Sequence, residues 1–166
     1  MITQERVREL FHYEEDTGNL VRIKTVSRSP RSKVGQRAGA KASHGYLATM
    51  VDGTHYLNHR LIWLYVHGKF PEEQLDHIDQ DRLNNRLSNL RAVTHQENNK
   101  NRRRQSNNTS GLCGVHLTKN TGKWEAHIKA NGKKKHLGHF SDFFEACCAR
   151  KSAENKYNFH PNHGRR

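Results

Sequence analysis

Residues 75–99 read LDHIDQDRLNNRLSNLRAVTHQENN, and the order of residue types in them decides how this part of the chain folds. Asp76 and His77 are adjacent, ahead of a polar loop rich in Asp, Asn and Arg. Asn89 then opens the run Asn89-Leu90-Arg91-Ala92-Val93, whose apolar alternation predicts a short strand. Thr94 suits the N-cap of a helix beginning His95-Gln96-Glu97, with Asn98 in its first turns. A strand or loop bearing Asp-His, a second strand opening on Asn and a helix presenting a metal ligand together make a compact ββα unit.

This stretch resembles the HNH nuclease motif of the His-Me finger enzymes, in the variant of free-standing phage and intron-associated homing endonucleases whose third letter is Asn. Carried over position by position, the resemblance implies that His77 is the general base and that Asn89 holds the active-site loop and the orientation of the His. It implies equally that Asp76 and Asn98 ligate one divalent metal. His95 lies three residues before Asn98 on the same helical face, so it could ligate instead or support the site from behind. Asp79 and Asp81 read as the solvated loop between the two strands, or, for one of them, as a further hold on the metal.

The chemistry accounts for this grouping. Hydrolysis of a phosphodiester needs an activated water and something to neutralise the charge that builds on the phosphate and the leaving 3′-oxygen. An imidazole titrating near 6.5 takes the water's proton at neutral pH once a hydrogen bond fixes its tautomer, a contribution of about 10²–10⁴-fold. A carboxylate and an amide oxygen are hard donors that suit Mg²⁺ or Mn²⁺.

The rest of the composition bounds the partners. The chain has 166 residues, 29 Lys and Arg against 16 Asp and Glu, and a net charge of +13. Such an excess costs self-repulsion unless it meets a polyanion, which makes nucleic acid the default partner. A hydrophobic fraction of 33% argues for small units rather than one large core. There is no apolar run long enough to span a bilayer and no secretory signal, so a membrane role is not expected and the cytoplasm is. Cys113, Cys147 and Cys148 form no Cys-x-x-Cys pair, which argues against a disulfide framework. The pairs His55/His59, His136/His139 and His160/His163 have tempting spacings, but without Cys or carboxylate partners nearby in sequence no structural zinc is expected.

Upstream of the motif, residues 2–10 read as a short amphipathic helix and Asp16-Thr17-Gly18-Asn19 as the turn of a hairpin. Residues 25–43 carry Arg28, Arg31, Lys33, Arg37 and Lys41 without an apolar period, the composition of a mobile loop or an extended arm tracking phosphates. Residues 45–51 and 55–57 read as a second hairpin about Asp52-Gly53, and Asn58 as the cap of a helix over 59–67 that Gly68 ends. This order extends the HNH resemblance back to about Gly45. Beyond the motif, Arg102, Arg103 and Arg104 continue or fray the helix and are candidates to lie along phosphates.

From Leu112 onward, three strand-like runs are separated by Asn120-Thr121-Gly122 and Asn131-Gly132 and followed by one helix. The middle run alternates, with Trp124, Ala126, Ile128 and Ala130 on one face and Glu125, His127 and Lys129 on the other. Asp142 followed by Glu145 marks the helix start, and Ala146, Ala149 and Ala153 form a small-residue stripe. The run GVHLTKNTGKWEAHIKANGKKKHLGHFSDFFEACCARKSA resembles the ethylene-response-factor (apetala-type) DNA-binding domain over roughly residues 111–157. In that family the sheet enters the major groove. The matching DNA-facing positions are His116, Thr118, His127, Lys129, Lys134 and His136; the family's arginines and tryptophans are largely replaced here, so its base preference does not carry over. Lys133 and Lys135, of opposite parity, read as solvated.

The sequence therefore predicts an α+β protein: an HNH domain with N-terminal hairpins and a basic arm over 1–105, a linker at 106–111, and a sheet-plus-helix DNA-binding domain with a basic tail over 112–166. The expected activity is metal-dependent cleavage of double-stranded DNA, as a nick by a monomer or weak dimer. The rivals are a non-catalytic DNA-binding regulator with a decayed site and a nuclease acting on RNA. If about eight phosphates are contacted, the logarithm of the affinity for duplex DNA falls against the logarithm of salt with a slope of roughly −0.9 per contact. A fluorescence-anisotropy salt series measures that slope, and a shallow one removes the basic surface as the footprint.

Overall fold

The computed structural model describes residues 2–25 and 32–165, which fold as two compact units that divide between Val93 and Thr94. The sequence places the division at 106–111. The difference comes from hydrogen bonds that tie the residues after Val93 to the far end of the chain. The Lys100 carbonyl accepts from His160 N–H (3.2 Å), the Arg102 carbonyl from Gly164 N–H (3.0 Å), and Arg104 N–H donates to the Arg165 carbonyl (3.0 Å).

The first unit begins with α1 (Gln4–Leu10), capped by the Thr3 hydroxyl, which accepts from Arg6 N–H. The apolar side of α1, Val7 and Leu10, is buried. A hairpin follows directly, β1 (Phe11–Glu14) against β2 (Asn19–Arg22), in the register Phe11↔Arg22 to Glu14↔Asn19. Val26 to Arg31, and with them Arg28 and Arg31 of the expected basic arm, lie outside the described residues. The described remainder of that arm is docked on the fold. Ala38 is buried and its N–H donates to Leu20, while Arg22 N–H donates to Gln36, so residues 35–38 pack beside β2. They lead into β3 (Ala40–Lys41), which pairs with β4 (Leu47–Val51), itself paired with β5 (Thr54–Leu57).

Next comes α2 (Asn58–His67), which presents Leu61, Ile62 and Leu64 to the core formed with Val7, Leu10, Phe11, Tyr13 and Leu20. Gly68 ends it in the left-handed conformation (φ 76°), as expected. Asn58 does not cap it. Leu57 takes the cap position, and Asn58 is buried inside the first turn, accepting from the Thr49 hydroxyl (2.8 Å) and donating to the Ala38 carbonyl (2.9 Å). A short hairpin, β6 (Gln74–His77) against β7 (Leu90–Val93), completes the unit.

The second unit opens with α3 (His95–Lys100), held by a full capping box between Thr94 and Glu97. The helix stops at Asn101 instead of continuing through the arginines. A three-stranded antiparallel sheet follows, ordered β10-β9-β8, from β8 (Val115–Thr118), β9 (Lys123–Ala130) and β10 (Lys133–Phe140). Ala126, Ile128 and Ala130 are buried on one face, against which α4 (Phe143–Lys156) packs with Ala146 and Ala153. Inside this unit Arg150 is buried, bonding Glu154 Oε1 (2.9 Å) and the His127 carbonyl (2.6 Å). Lys135 is not merely solvated, since its ammonium donates to the Tyr157 hydroxyl (2.9 Å).

The Asn58 bridge is the most exacting polar contact of the first core, because its loss leaves a buried hydroxyl and a buried carbonyl short of a partner. Asn58→Ala is expected to destabilise the first unit by about 1–3 kcal/mol. Chemical denaturation in a Trp124→Phe background, which leaves Trp63 as the sole fluorescent tryptophan, measures it.

Candidate active site

The β6–β7 register sets the site, because it places Asp76 opposite Arg91 and His77 opposite Leu90. Asp76, His77 and Asn89 are all buried. Arg91 grips the carboxylate of Asp76 with two nitrogens on Oδ2, at 2.8 and 3.2 Å. The cation was not apparent as a site residue from sequence, although an antiparallel hairpin starting at Asp76 and ending near Val93 requires some residue of β7 to face that carboxylate.

The loop joining the two strands is closed by Asn89. Its Oδ1 accepts from Asp79 N–H (3.0 Å), and its Nδ2 donates to Asp79 Oδ1 (2.8 Å) and to the Asn84 carbonyl (2.9 Å). Its own carbonyl accepts from Ile78 N–H (2.9 Å). Asp79 receives Asn84 Nδ2 (2.7 Å) and Asp81 N–H (2.7 Å) as well. Burial works against its charge, yet these hydrogen bonds hold the carboxyl below its ordinary range. Asp79 is thus a structural member of the loop.

His77 faces Asn85 across 3.0 Å, from Nε2 to the amide Oδ1. The amide nitrogen of Asn85 points to the Leu83 carbonyl (3.4 Å), which turns its oxygen toward the imidazole. With the Asn85 oxygen so placed, the neutral tautomer that fits the contact carries its proton on Nε2 and its lone pair on Nδ1. Burial lowers the His77 pKa, against the opposing pull of Asn85 and of the Asp79, Asp76 and Asp81 charges. The ring lies edge-on to His59 (5.1 Å between centroids) and beside Tyr46 (5.8 Å). His59, buried on α2, is pushed down to about 3 by desolvation and by the neighbouring His77 and Arg60.

Asn85 is itself positioned from the N-terminal hairpin. The Tyr13 hydroxyl donates to the Asn85 carbonyl (3.3 Å) and accepts from Leu87 N–H (2.9 Å). Gly18 packs so closely there that a Cβ would stand 2.5 Å from Arg86 N and 2.7 Å from the Asn85 carbonyl carbon. Neither Asn85 nor Tyr13 carries a sequence signal for this role. His59 carries a weak one, since a helix apolar around most of its circumference leaves little solvent for it.

His95 and Asn98 lie on α3, in the second unit. Asp76 is a hard oxygen donor of the kind that suits Mg²⁺ or Mn²⁺, and its Oδ2 is engaged by the Arg91 guanidinium. Of the residues expected on DNA, Arg102, Arg103, His116, His127 and Lys129 line one cleft of about 990 Å³ within the second unit. Thr118, Lys134 and His136 do not line it. Arg104 is turned to the carbonyl of Gly111.

Residues 56–100 match the family model described as HNH endonuclease. The chain is 37% identical over 76 residues to Protein 3.8 of Escherichia phage T7, across 45% of this chain and 63% of that protein. It thus spans less than two thirds of this relative's length. No solved structure matches the chain. The matched segment contains β6, β7 and the loop between them, and it supports a nuclease of the HNH kind. No helix among the described residues is long and apolar enough to cross a membrane.

The depressed pKa of His59 makes the stability of the first unit depend on pH. Above about pH 6.5 the ring is neutral in both folded and unfolded chains and contributes no pH dependence. From there down to about 3 only the unfolded chain takes up the proton, so stability falls on acidification by up to about 1.4 kcal/mol per unit from this group. Nuclear magnetic resonance should find the His59 ring still neutral at pH 5, and a ring titrating near 6.5 would remove the effect.

Proposed function

We propose that this protein is a metal-dependent DNA endonuclease that hydrolyses a phosphodiester of double-stranded DNA, with His77 as the general base and one strand cut per event. The observation that carries this reading is the buried His77, hydrogen-bonded to Asn85 beside Asp76, on a hairpin whose loop Asn89 closes. A buried neutral imidazole with its second nitrogen fixed is prepared to accept a proton from water. Asn89 acts here through the loop, keeping β6 and the following turn in place. Arg91 keeps the buried Asp76 carboxylate paired until it is needed.

Asp76 and Asn98 would hold one divalent ion, Mg²⁺ or Mn²⁺, with His95 as the alternative or supporting residue. When bound, the ion supplies positive charge to the scissile phosphate and the leaving oxygen. DNA is held by the second unit, through Arg102, Arg103, Lys129 and the histidines of its cleft and through Thr118, Lys134 and His136 on the same sheet, with Arg104 beside them. The resemblance of residues 111–157 to apetala-type domains belongs to this reading, as do action by a monomer or weak dimer and a place in the cytoplasm.

Incubation of supercoiled plasmid with the protein in Mg²⁺, Mn²⁺ or chelator, beside His77→Ala, tests it. The expected outcome is open-circular product that requires the metal and falls by at least about 10²-fold in the variant. Binding without cutting in either metal would instead make the protein a DNA-binding regulator with a decayed site.

A further inference from the structure

We propose that Glu125, His136 and His139 form a binding site for a divalent transition-metal ion of the zinc type on the open face of the β8–β10 sheet. One ligand atom from each of the three side chains lies within 4.8 Å of the other two. This grouping is separate from the oxygen-donor set of the HNH motif. The sequence argued against zinc because His136 and His139 lack a nearby carboxylate; strand pairing supplies one, since His139 stands opposite Glu125 in the β9–β10 register.

An irregularity in β10 is what aims the two histidines together. In a regular strand, residues three apart point to opposite faces. Here the register jumps from His136↔His127 to Gly138↔Ala126, so Leu137 is an extra residue and His139 returns to the face of His136. Gly138 accommodates the bulge at φ 141°. The two imidazole centroids are consequently 4.7 Å apart.

Glu125 also stands out by its charge. It is the only acidic residue between Gly111 and Phe140, a segment with Lys119, Lys123, Lys129, Lys133, Lys134 and Lys135. On a sheet otherwise suited to a polyanion a lone carboxylate is repulsive unless it is neutralised. His116, Lys134, His136 and His127 surround it at 3.5, 3.7, 3.7 and 3.9 Å, longer than a charge-assisted hydrogen bond of about 2.8 Å. A dication bound there reverses the local charge.

Two imidazoles and one carboxylate select Zn²⁺, Co²⁺ or Ni²⁺ over Mg²⁺ and Ca²⁺. Tetrahedral bonds of about 2.0–2.1 Å place ligand atoms roughly 3.3 Å apart. The ligand atoms lie within 4.8 Å of one another, and His136 and His139 are exposed side chains with room to turn. Three protein ligands leave a fourth position for water or a phosphate oxygen.

The test uses the full, untagged chain titrated with Co²⁺ and followed by visible absorption, with Zn²⁺ added afterwards as competitor. One Co²⁺ should bind with four- or five-coordinate absorption that Zn²⁺ displaces. The signal should persist in Asp76→Ala, weaken at least tenfold in Glu125→Gln, and vanish in the double variant His136→Ala/His139→Ala. Circular dichroism establishes that each variant is folded, and Zn²⁺ should raise the melting temperature of the wild type but not of the double variant. Persistence of the signal in the double variant, its loss in Asp76→Ala, or no Co²⁺ binding at millimolar concentration would overturn the proposal.

Discussion

The amide of Asn89 is the contact on which the first unit's site depends. Strands β6 and β7 are only four residues each, too short to fix the long polar loop between them through ladder hydrogen bonds. One side chain supplies the closure from inside. It accepts from Asp79 N–H, donates to the Asp79 carboxylate and donates to the Asn84 carbonyl, so the beginning and the middle of the loop are tied to the residue that leads into β7. An aspartate there would lose both donors and face the Asp79 carboxylate, whereas an alanine would lose every side-chain bond. The residue type follows from the need for donor and acceptor on one short side chain.

Closing the loop has an electrostatic consequence. It carries Asn85 against His77, whose ring also packs against Tyr46 and His59 and is largely desolvated. Desolvation penalises the charged ring more than the hydrogen bond and the nearby carboxylates favour it, so the ring stays neutral. Asp76, a residue away, is buried as well and meets the Arg91 guanidinium across the hairpin at 2.8 Å. A buried carboxylate that has lost such a partner is costly, which makes Arg91 part of the site even though it is not part of the motif.

Local signals in the chain translated well into local structure. Thr94 with Glu97, Gly68, Asn131-Gly132 and Asp142 with Glu145 all form the caps and turns that their types imply, because each completes its hydrogen bonds within a few residues. The alternation about Trp124 likewise foretold which face of β9 is buried. What sequence did not reveal are the partners that lie far along the chain. Asn58 looks like a cap until Thr49 and Ala38 are found around it, and the arginine run looks like a continuing or fraying helix end until residues 160–165 are found beside it. Among the site residues, the adjacency of Asp76 and His77 was legible, but Asn85, Tyr13 and Arg91 act through tertiary contacts that leave no pattern.

The same distinction governs how the net charge of +13 should be understood. Composition counts every cation equally, but the structure spends several of them internally. Arg150 is buried against Glu154, Arg6 pairs with Asp52 and Glu9, Arg91 pairs with Asp76, and Arg86 donates to the Asp16 carbonyl (2.6 Å). Those side chains shape loops and helices, and a polyanion would have to break hydrogen bonds to recruit them. Arg102, Arg103 and Lys129 are different, since they share one open cleft within a single unit. A polyanion meets such a cluster without dismantling the fold, so the placement of charge, more than its sum, determines where nucleic acid can bind.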